Sequence, residues 1–305
     1  MIVNFYPFEK NLEKTQSHSK VIENIDIGGP TMVRAAAKNY NDVTAISSIE
    51  YYQELINELK INKGATSLKF RKKMSQLAFS ETGYYDSVIS NHFNSVLNIK
   101  FPQKKIFHAN LIKELRYGEN PHQLSAIYSK NQNLKLKKIH GKSLSYNNYN
   151  DIFSALAISK SLPKNIGTVI IKHSNPCGFG IGKSNVEAYL NAVSTDPVSY
   201  FGGIIAFNRV LDEETARDVV KLFVEVVIAP DIDRVAIEIL TAKKNLRLLK
   251  TGTMPNPSAP GMTIRSLAGG YLLQRRDHRI FEDMKVVTQR QPTDQEMADL
   301  NFAFT

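Results

Sequence analysis

Lys172 and His173 directly follow the apolar run Val169-Ile-Ile171, and an imidazole at the end of a buried strand is one way to hold a general base in place. An ammonium beside it disfavours a second positive charge, which suits the ring to accept a proton near neutral pH. Residues after the last apolar position of such a strand emerge at the carboxyl edge of the sheet, where α/β folds open to ligands. Lys172 and His173 are therefore expected to face a cleft, although the same pair also reads as a solvated loop at a strand end.

Other clusters carry chemistry of their own. Arg116, Tyr117 and His122, with Gly118 and Asn120 between them, offer a guanidinium, a phenol and an imidazole in a short loop, and arginine suits bidentate binding of phosphate. Alone, the cluster also fits a surface turn. Asp26-Ile27-Gly28-Gly29-Pro30 precedes a helix, where glycines let backbone amides approach a phosphate or a polar ring. It is neither a Walker A loop nor a GxGxxG fingerprint, so a plain turn is the alternative. Asp26 stands before that helix and Lys38 near its end; the two can line one pocket only if a third element bridges them. Cys177, close behind His173, invites a Cys-His nucleophile reading, which fails because Asn175-Pro-Cys-Gly178 reads as a tight turn and no orienting third group is evident. The run from Asp196 to Gly203 reads as a glycine-closed turn entering a strand.

The elements that must position these groups alternate along the chain. Strands are expected over 1–6 and 42–47, with a helix from about 32 to 38 between them and helices near 49–62, 65–80 and 83–97. Mixed polarity and Pro102 in 98–110 mark a domain break. Beyond it, helices are expected near 150–161, 186–194, 212–222 and 232–243, and strands near 167–172, 203–207, 224–229 and 245–249. A helix with a good N-cap begins near Thr293. The fold class read from this order is α/β.

Bulk properties narrow the function. With 305 residues, 42% hydrophobic and 22% charged, the chain can bury a sizeable core. No run approaches the roughly 20 apolar residues of a membrane span, and the first residues lack the basic-then-apolar order of a signal peptide, so a cytoplasmic protein without membrane partners is expected. The single cysteine excludes an internal disulfide framework and a multi-cysteine zinc site, and no metal is expected. A formal charge of +10 suits small anionic ligands, whereas dispersed basic residues without aromatic interleaving argue against nucleic acid.

Taken together, several segments resemble the bifunctional purine biosynthesis family that joins an AICAR (5-aminoimidazole-4-carboxamide ribonucleotide) transformylase to an IMP cyclohydrolase. Asn4-Phe-Tyr6-Pro-Phe8, the stretch from Glu23 to Asn39 and Thr82-Gly-Tyr-Tyr-Asp86 look like the cyclohydrolase half. Leu115-Arg-Tyr-Gly-Glu-Asn-Pro-His122, Gly141-Lys-Ser-Leu-Ser-Tyr-Asn-Asn148, Ile171-Lys-His-Ser-Asn-Pro-Cys-Gly178, Tyr200-Phe-Gly-Gly203 and Glu225-Val-Val-Ile-Ala-Pro230 look like the transformylase half. The resemblance implies a methylglyoxal-synthase-like domain over residues 1–104 and a cytidine-deaminase-like α/β transformylase domain over 105–305. It implies formyl transfer from the co-substrate 10-formyltetrahydrofolate to AICAR, and closure of formyl-AICAR to IMP with loss of water, in a homodimer.

In the transformylase half the resemblance makes His173 the proton acceptor and Lys172 the stabiliser of charge on the formyl oxygen. Arg116, Tyr117, Gly202 and Glu225 would bind AICAR, with His122 and Asn148 as helpers. In the cyclohydrolase half, Lys38 would be a proton donor or acceptor, Asp26 and Ile27 would contact the ring, and Asn4 and Tyr6 would stand nearby. The family's chain extends beyond this sequence at both ends, so the expectation is a fragment with little activity of its own. The competing reading is a non-catalytic nucleotide- or RNA-binding protein that kept the fold.

Overall fold

A computed structural model describes residues 1–14, 17–130, 134–162, 166–253, 261–277 and 284–304. The chain divides into two compact units, Met1–Asn110 and Leu111–Thr305.

The first unit is helical. Helices α1 (Phe8–Lys14), α2 (His18–Ile22), α3 (Gly28–Lys38), α4 (Tyr52–Ile61) and α5 (Leu68–Val96) follow in order. Among the described residues, the two stretches expected as strands pair only through one parallel bridge, Ile2 with Ile46, closed by Val3 N–H to Ile46 O at 3.0 Å and Ile46 N–H to Met1 O at 2.9 Å. Nor are there separate helices over 65–80 and 83–97. Gly83 sits inside α5 with open space beside it, and the cost of about 1 kcal/mol for a helical glycine is offset by apolar residues packed on both sides of it. Ala78 lies with Val33, Ala36 and Ala37 of α3, while Tyr85 and Val88 lie with Phe8 and Val21.

The second unit is built on a six-stranded mixed sheet in the order β3-β8-β7-β6-β4-β5. Two strands, β1 (Asn110–Leu115) and β2 (Ser125–Ser129), form a small separate sheet, followed by β3 (Lys137–His140), α6 (Tyr146–Ser161), β4 (Ile166–Lys172), β5 (Asn175–Gly182) and α7 (Asn185–Thr195). The chain then alternates through β6 (Ile204–Phe207), α8 (Glu213–Val219), β7 (Val226–Ala229), α9 (Arg234–Thr241) and β8 (Arg247–Lys250), with a hairpin of β9 (Met262–Leu267) and β10 (Gly270–Arg275) and a last helix, α10 (Asp294–Phe304). Strands β6, β7 and β8 run parallel, and every residue of β6 and β7 is buried. That is why these strands read as unbroken apolar runs. Alternate residues serve opposite faces: Ile205, Phe207 and Val227 join Tyr189, Ala216 and Leu240 of α7, α8 and α9, while Ile204, Ala206 and Ile228 join Ile152, Ala155 and Leu156 of α6. The α/β class expected from the element order holds as a mixed sheet with helices on both faces.

The expected turn at Asn175-Pro-Cys-Gly178 is instead the start of β5, an edge strand paired antiparallel with β4. Its composition misleads because Gly178, Gly180 and Gly182 face the backbone of α7. A methyl group at Gly180 would stand 2.6 Å from Ala188 O and 2.6 Å from Ala192 N, and one at Gly178 would stand 2.1 Å from Ala192 O. Helix and strand therefore touch directly, and Pro176 is tolerated because the strand lies on an edge.

Candidate functional site

Because β4 runs antiparallel to β6, with Ile171 opposite Ile204, the carboxyl end of β4 meets the amino ends of β6, β7 and β8. This corrects the expectation that Lys172 and His173 sit at the carboxyl edge of a parallel sheet. The same reversal brings in the residues that immediately precede the parallel strands. Lys172 Nζ donates to Phe201 O at 3.1 Å, beside Gly202, whose φ of +75° is one that residues with a Cβ rarely adopt. Gly202 N–H donates to Phe223 O at 2.9 Å and Glu225 N–H to Gly203 O at 3.0 Å, so backbone bonds link the Gly202 turn to Glu225, and the side chain of Lys172 joins them through Phe201 O.

The Glu225 carboxylate is held from two sides. Its Oε2 accepts from Asn148 Nδ2 at 3.0 Å and from Arg247 Nη1 at 3.4 Å; Arg247 Nε donates to Ser143 O at 3.0 Å. The Arg247 side chain is only 14% exposed and that of Glu225 41%, an arrangement that leaves the acid open to solvent and the guanidinium behind it. Asn148 is buried because it also closes a capping box at the start of α6, its Oδ1 accepting from Ser145 N–H at 3.1 Å while its own N–H donates to Ser145 Oγ at 3.1 Å.

Helix α6 gathers the remaining parts. Asn147 Nδ2 donates to Glu119 O at 3.3 Å, which ties down the loop between β1 and β2 that carries Arg116, Tyr117 and His122. In that loop the Arg116 guanidinium lies over the Tyr117 ring, 5.6 Å from its centre, Ser125 Oγ donates to Tyr117 O at 2.7 Å, and Arg116 and His122 are exposed. One turn further along α6, Asn150 and Asp151 bond to Ser174. His173 itself is exposed and forms with Ser174 the two-residue connection between β4 and β5, where Lys172 pairs with Asn175. Among the described residues no hydrogen bond joins Arg116, Tyr117 or His122 directly to Lys172, His173 or Glu225.

The site residues expected in the first unit separate. Asp26 caps α3: its Oδ1 accepts from Gly29 N–H at 2.8 Å and its Oδ2 from Tyr6 N–H at 3.3 Å, while Asp26 N–H donates to Tyr85 Oη at 2.8 Å. Asp26 and Tyr6 thus meet, with exposed Ile27 alongside. Asn4 turns instead to Tyr52, donating to its hydroxyl at 2.8 Å. Lys38 is exposed in the last turn of α3, about 15 Å along the axis from the first turn at 1.5 Å per residue, so the helix holds it away from Asp26 and supplies no bridging element.

Residues 36–305 match the model of the AICARFT/IMPCHase bienzyme family. The chain belongs to that family. Across its whole length it is 48% identical to the bifunctional purine biosynthesis protein PurH of Bradyrhizobium diazoefficiens, covering 59% of that protein. It is 47% identical to the protein of the same name from Paracoccus denitrificans, again over 100% of this chain and 59% of that one. The chain therefore spans about 59% of the length of these curated relatives. Among solved structures, Acinetobacter baumannii RibD, form 1, is 19% identical over 31% of each chain with a TM-score of 0.24, a likeness too slight to bear on fold or function.

Three residues not singled out in the sequence stand with these groups at the amino ends of β6, β7 and β8: Asn150, Asp151 and Arg247. A signal for the first two exists in Tyr146-Asn-Asn-Tyr-Asn-Asp151, a helix start unusually rich in amide and carboxyl side chains that favour caps and turns over helix interiors. Arg247 has no such signal, since an arginine opening an apolar strand looks like an edge charge until its partner strand is known. Among the described residues no three His, Cys, Asp or Glu side chains lie close enough to hold a metal ion, and no helix is long and apolar enough to cross a membrane.

Proposed function

We propose that this chain contributes to de novo purine biosynthesis by binding AICAR at the amino edge of the mixed sheet and passing it a formyl group from 10-formyltetrahydrofolate, the product then closing to IMP with loss of water. In this reading residues 105–305 belong to a cytidine-deaminase-like transformylase portion and 1–104 to a methylglyoxal-synthase-like cyclohydrolase portion. The AICAR amine attacks the formyl carbon, the new C–N bond forms, and the bond from that carbon to N10 of the folate breaks. His173 takes the proton that the amine loses, N10 regains one, and Lys172 balances charge on the formyl oxygen. Arg116 and Tyr117 bind the nucleotide, with Gly202, Glu225, Asn148 and His122 completing the pocket.

The observation that carries this reading is the convergence of Lys172, Gly202 and Glu225, far apart in sequence, through one side-chain bond and two backbone bonds beside an exposed imidazole. For ring closure, support is confined to the meeting of Tyr6 and Asp26 beside Ile27; Lys38 enters that reading as a proton carrier from the far end of α3, and Asn4 as a neighbour.

Calorimetric titration of the chain with AICAR, paired with an assay for tetrahydrofolate release, tests the proposal. AICAR should bind, release by the chain alone should be small, and in a version extended to the full length of the family His173→Ala should abolish release while leaving binding largely intact. Absence of AICAR binding, together with RNA retention that weakens steeply with salt, would replace it with the nucleic-acid reading.

A further inference from the structure

The connection between β4 and β5 is built from residues that resist its shape. His173 has φ +52° and Ser174 φ +60°, and two successive left-handed residues are what a two-residue hairpin needs to follow the twist of its strands. Such positions usually go to glycine or asparagine, because a Cβ there crowds the following carbonyl. A strained turn of this kind persists only when its surroundings over-determine it. Here they do. Asp151 Oδ1 accepts from Ser174 N–H at 2.7 Å and from Ser174 Oγ at 3.1 Å, Asn150 Nδ2 donates to the same Oγ at 2.7 Å, and Asn175 Nδ2 donates to His173 O at 2.9 Å.

We propose that Asp151 is a positioning residue for His173, using the carboxylate on α6 to hold the Ser174 end of the turn and so fix the backbone from which the imidazole projects beside the amino ends of β6, β7 and β8. The proposal deepens the reading of His173 as the proton acceptor and rests on it for its catalytic meaning. A hydrogen bond from a backbone N–H to a carboxylate is of the stronger class, so it can outweigh the penalty of a left-handed serine. The helix that carries Asp151 also carries Asn148, three residues earlier on the same face, and Asn148 bonds Glu225. One rigid segment therefore sets both the nucleotide-facing acid and the base-bearing turn. Were Asp151 lost, the turn would relax toward negative φ and the His173 side chain would swing with its backbone.

The test uses nuclear magnetic resonance of the chain's histidine rings and backbone amides, with the His173 signals assigned by their loss in His173→Gln. In Asp151→Ala the His173 ring and amide signals should shift and broaden while those of His18 and His140 stay in place. Combining Asp151→Ala with Ser174→Gly should restore them, because glycine takes the left-handed conformation without help. Asp151→Asn, which keeps a weaker acceptor, should fall between and covers the case in which the alanine variant folds poorly. If the chain turns over, Asp151→Ala should lower kcat by on the order of a hundredfold, the cost of a misplaced reacting group, with little change in KM for AICAR and recovery in the double variant. A wild-type chain that binds AICAR without turnover would count against the catalytic reading alone, since the resonance result still decides the positioning. Unchanged His173 signals in both Asp151 variants, or no recovery with Ser174→Gly, would overturn the proposal.

Discussion

Arg247 stands behind Glu225, its Nη1 3.4 Å from the acid's Oε2; Arg247 opens β8 and is level with Val226 of the parallel strand β7, which Glu225 immediately precedes. The strand register puts the pair together, and Arg247 N–H donates to Glu225 O at 3.1 Å, so backbone and side chain both fix the acid. Since Glu225 is two-fifths exposed, the pair contributes nearer the ~1 kcal/mol of a surface ion pair than the ~3–5 kcal/mol lost on breaking a buried one.

Glu225→Ala is accordingly expected to change stability by only about 1 kcal/mol while lowering AICAR affinity roughly tenfold or more, the scale of one hydrogen bond to a charged group. Arg247→Ala should reproduce part of the affinity loss by freeing the carboxylate. Calorimetry on both variants decides the matter: undiminished AICAR affinity in Glu225→Ala would remove this acid from the site.

Lys172 is anchored by its bond to Phe201 O, which points the ammonium along the turn before β6. Lys172→Met should slow formyl transfer by on the order of a hundredfold or more, as does loss of one donor to a developing oxyanion, and should leave AICAR binding little changed. Single-turnover rates measure this, and an unaltered rate would assign the lysine a purely structural bond.

Gly180→Ala should destabilise the second unit by about 3 kcal/mol, the upper range for overpacking, because the added methyl meets backbone atoms of α7 at 2.6 Å that cannot rotate away. Gly83→Ala, with nothing within 4 Å, should gain up to about 1 kcal/mol from helix propensity. Denaturant titrations of the pair make the contrast; equal effects would contradict the direct strand–helix packing.

Glu81 in α5 has its carboxyl pushed above the ordinary range, chiefly by burial and then by the nearby Glu50 and Glu9 carboxylates. The folded chain therefore keeps a proton on Glu81 that the unfolded chain has already released, and stability falls as pH rises from the usual carboxylate value through the raised native one. Glu81→Gln should flatten that fall and raise stability above the window. Midpoints of urea unfolding measured across roughly pH 4 to 7 test it, and an identical slope in the variant would refute it.

Much of the second unit could be read from residue order. Runs such as Val226-Val-Ile-Ala229 and Ile204-Ile-Ala-Phe207 announce strands buried on both faces, and the helices between them carry ordinary signals. Strand β5 could not be read that way, because its glycines answer to the backbone of α7 rather than to any local preference. The first unit misleads in the opposite sense: local composition suggests two strands, but among the described residues each finds only the other to pair with, through Ile2 and Ile46.

The residue types able to do chemistry, Lys172, His173, Arg116 and Glu225 among them, were fixed by the sequence alone, together with the family that their motifs resemble. Which of them come together was decided by the tertiary structure, through the direction of β4. A strand reads the same from sequence whether its neighbour is parallel or antiparallel, since side-chain alternation has the same period in both. Only the pairing of Ile171 with Ile204 puts Lys172 beside Gly202, and only the register of β7 on β8 puts Arg247 behind Glu225.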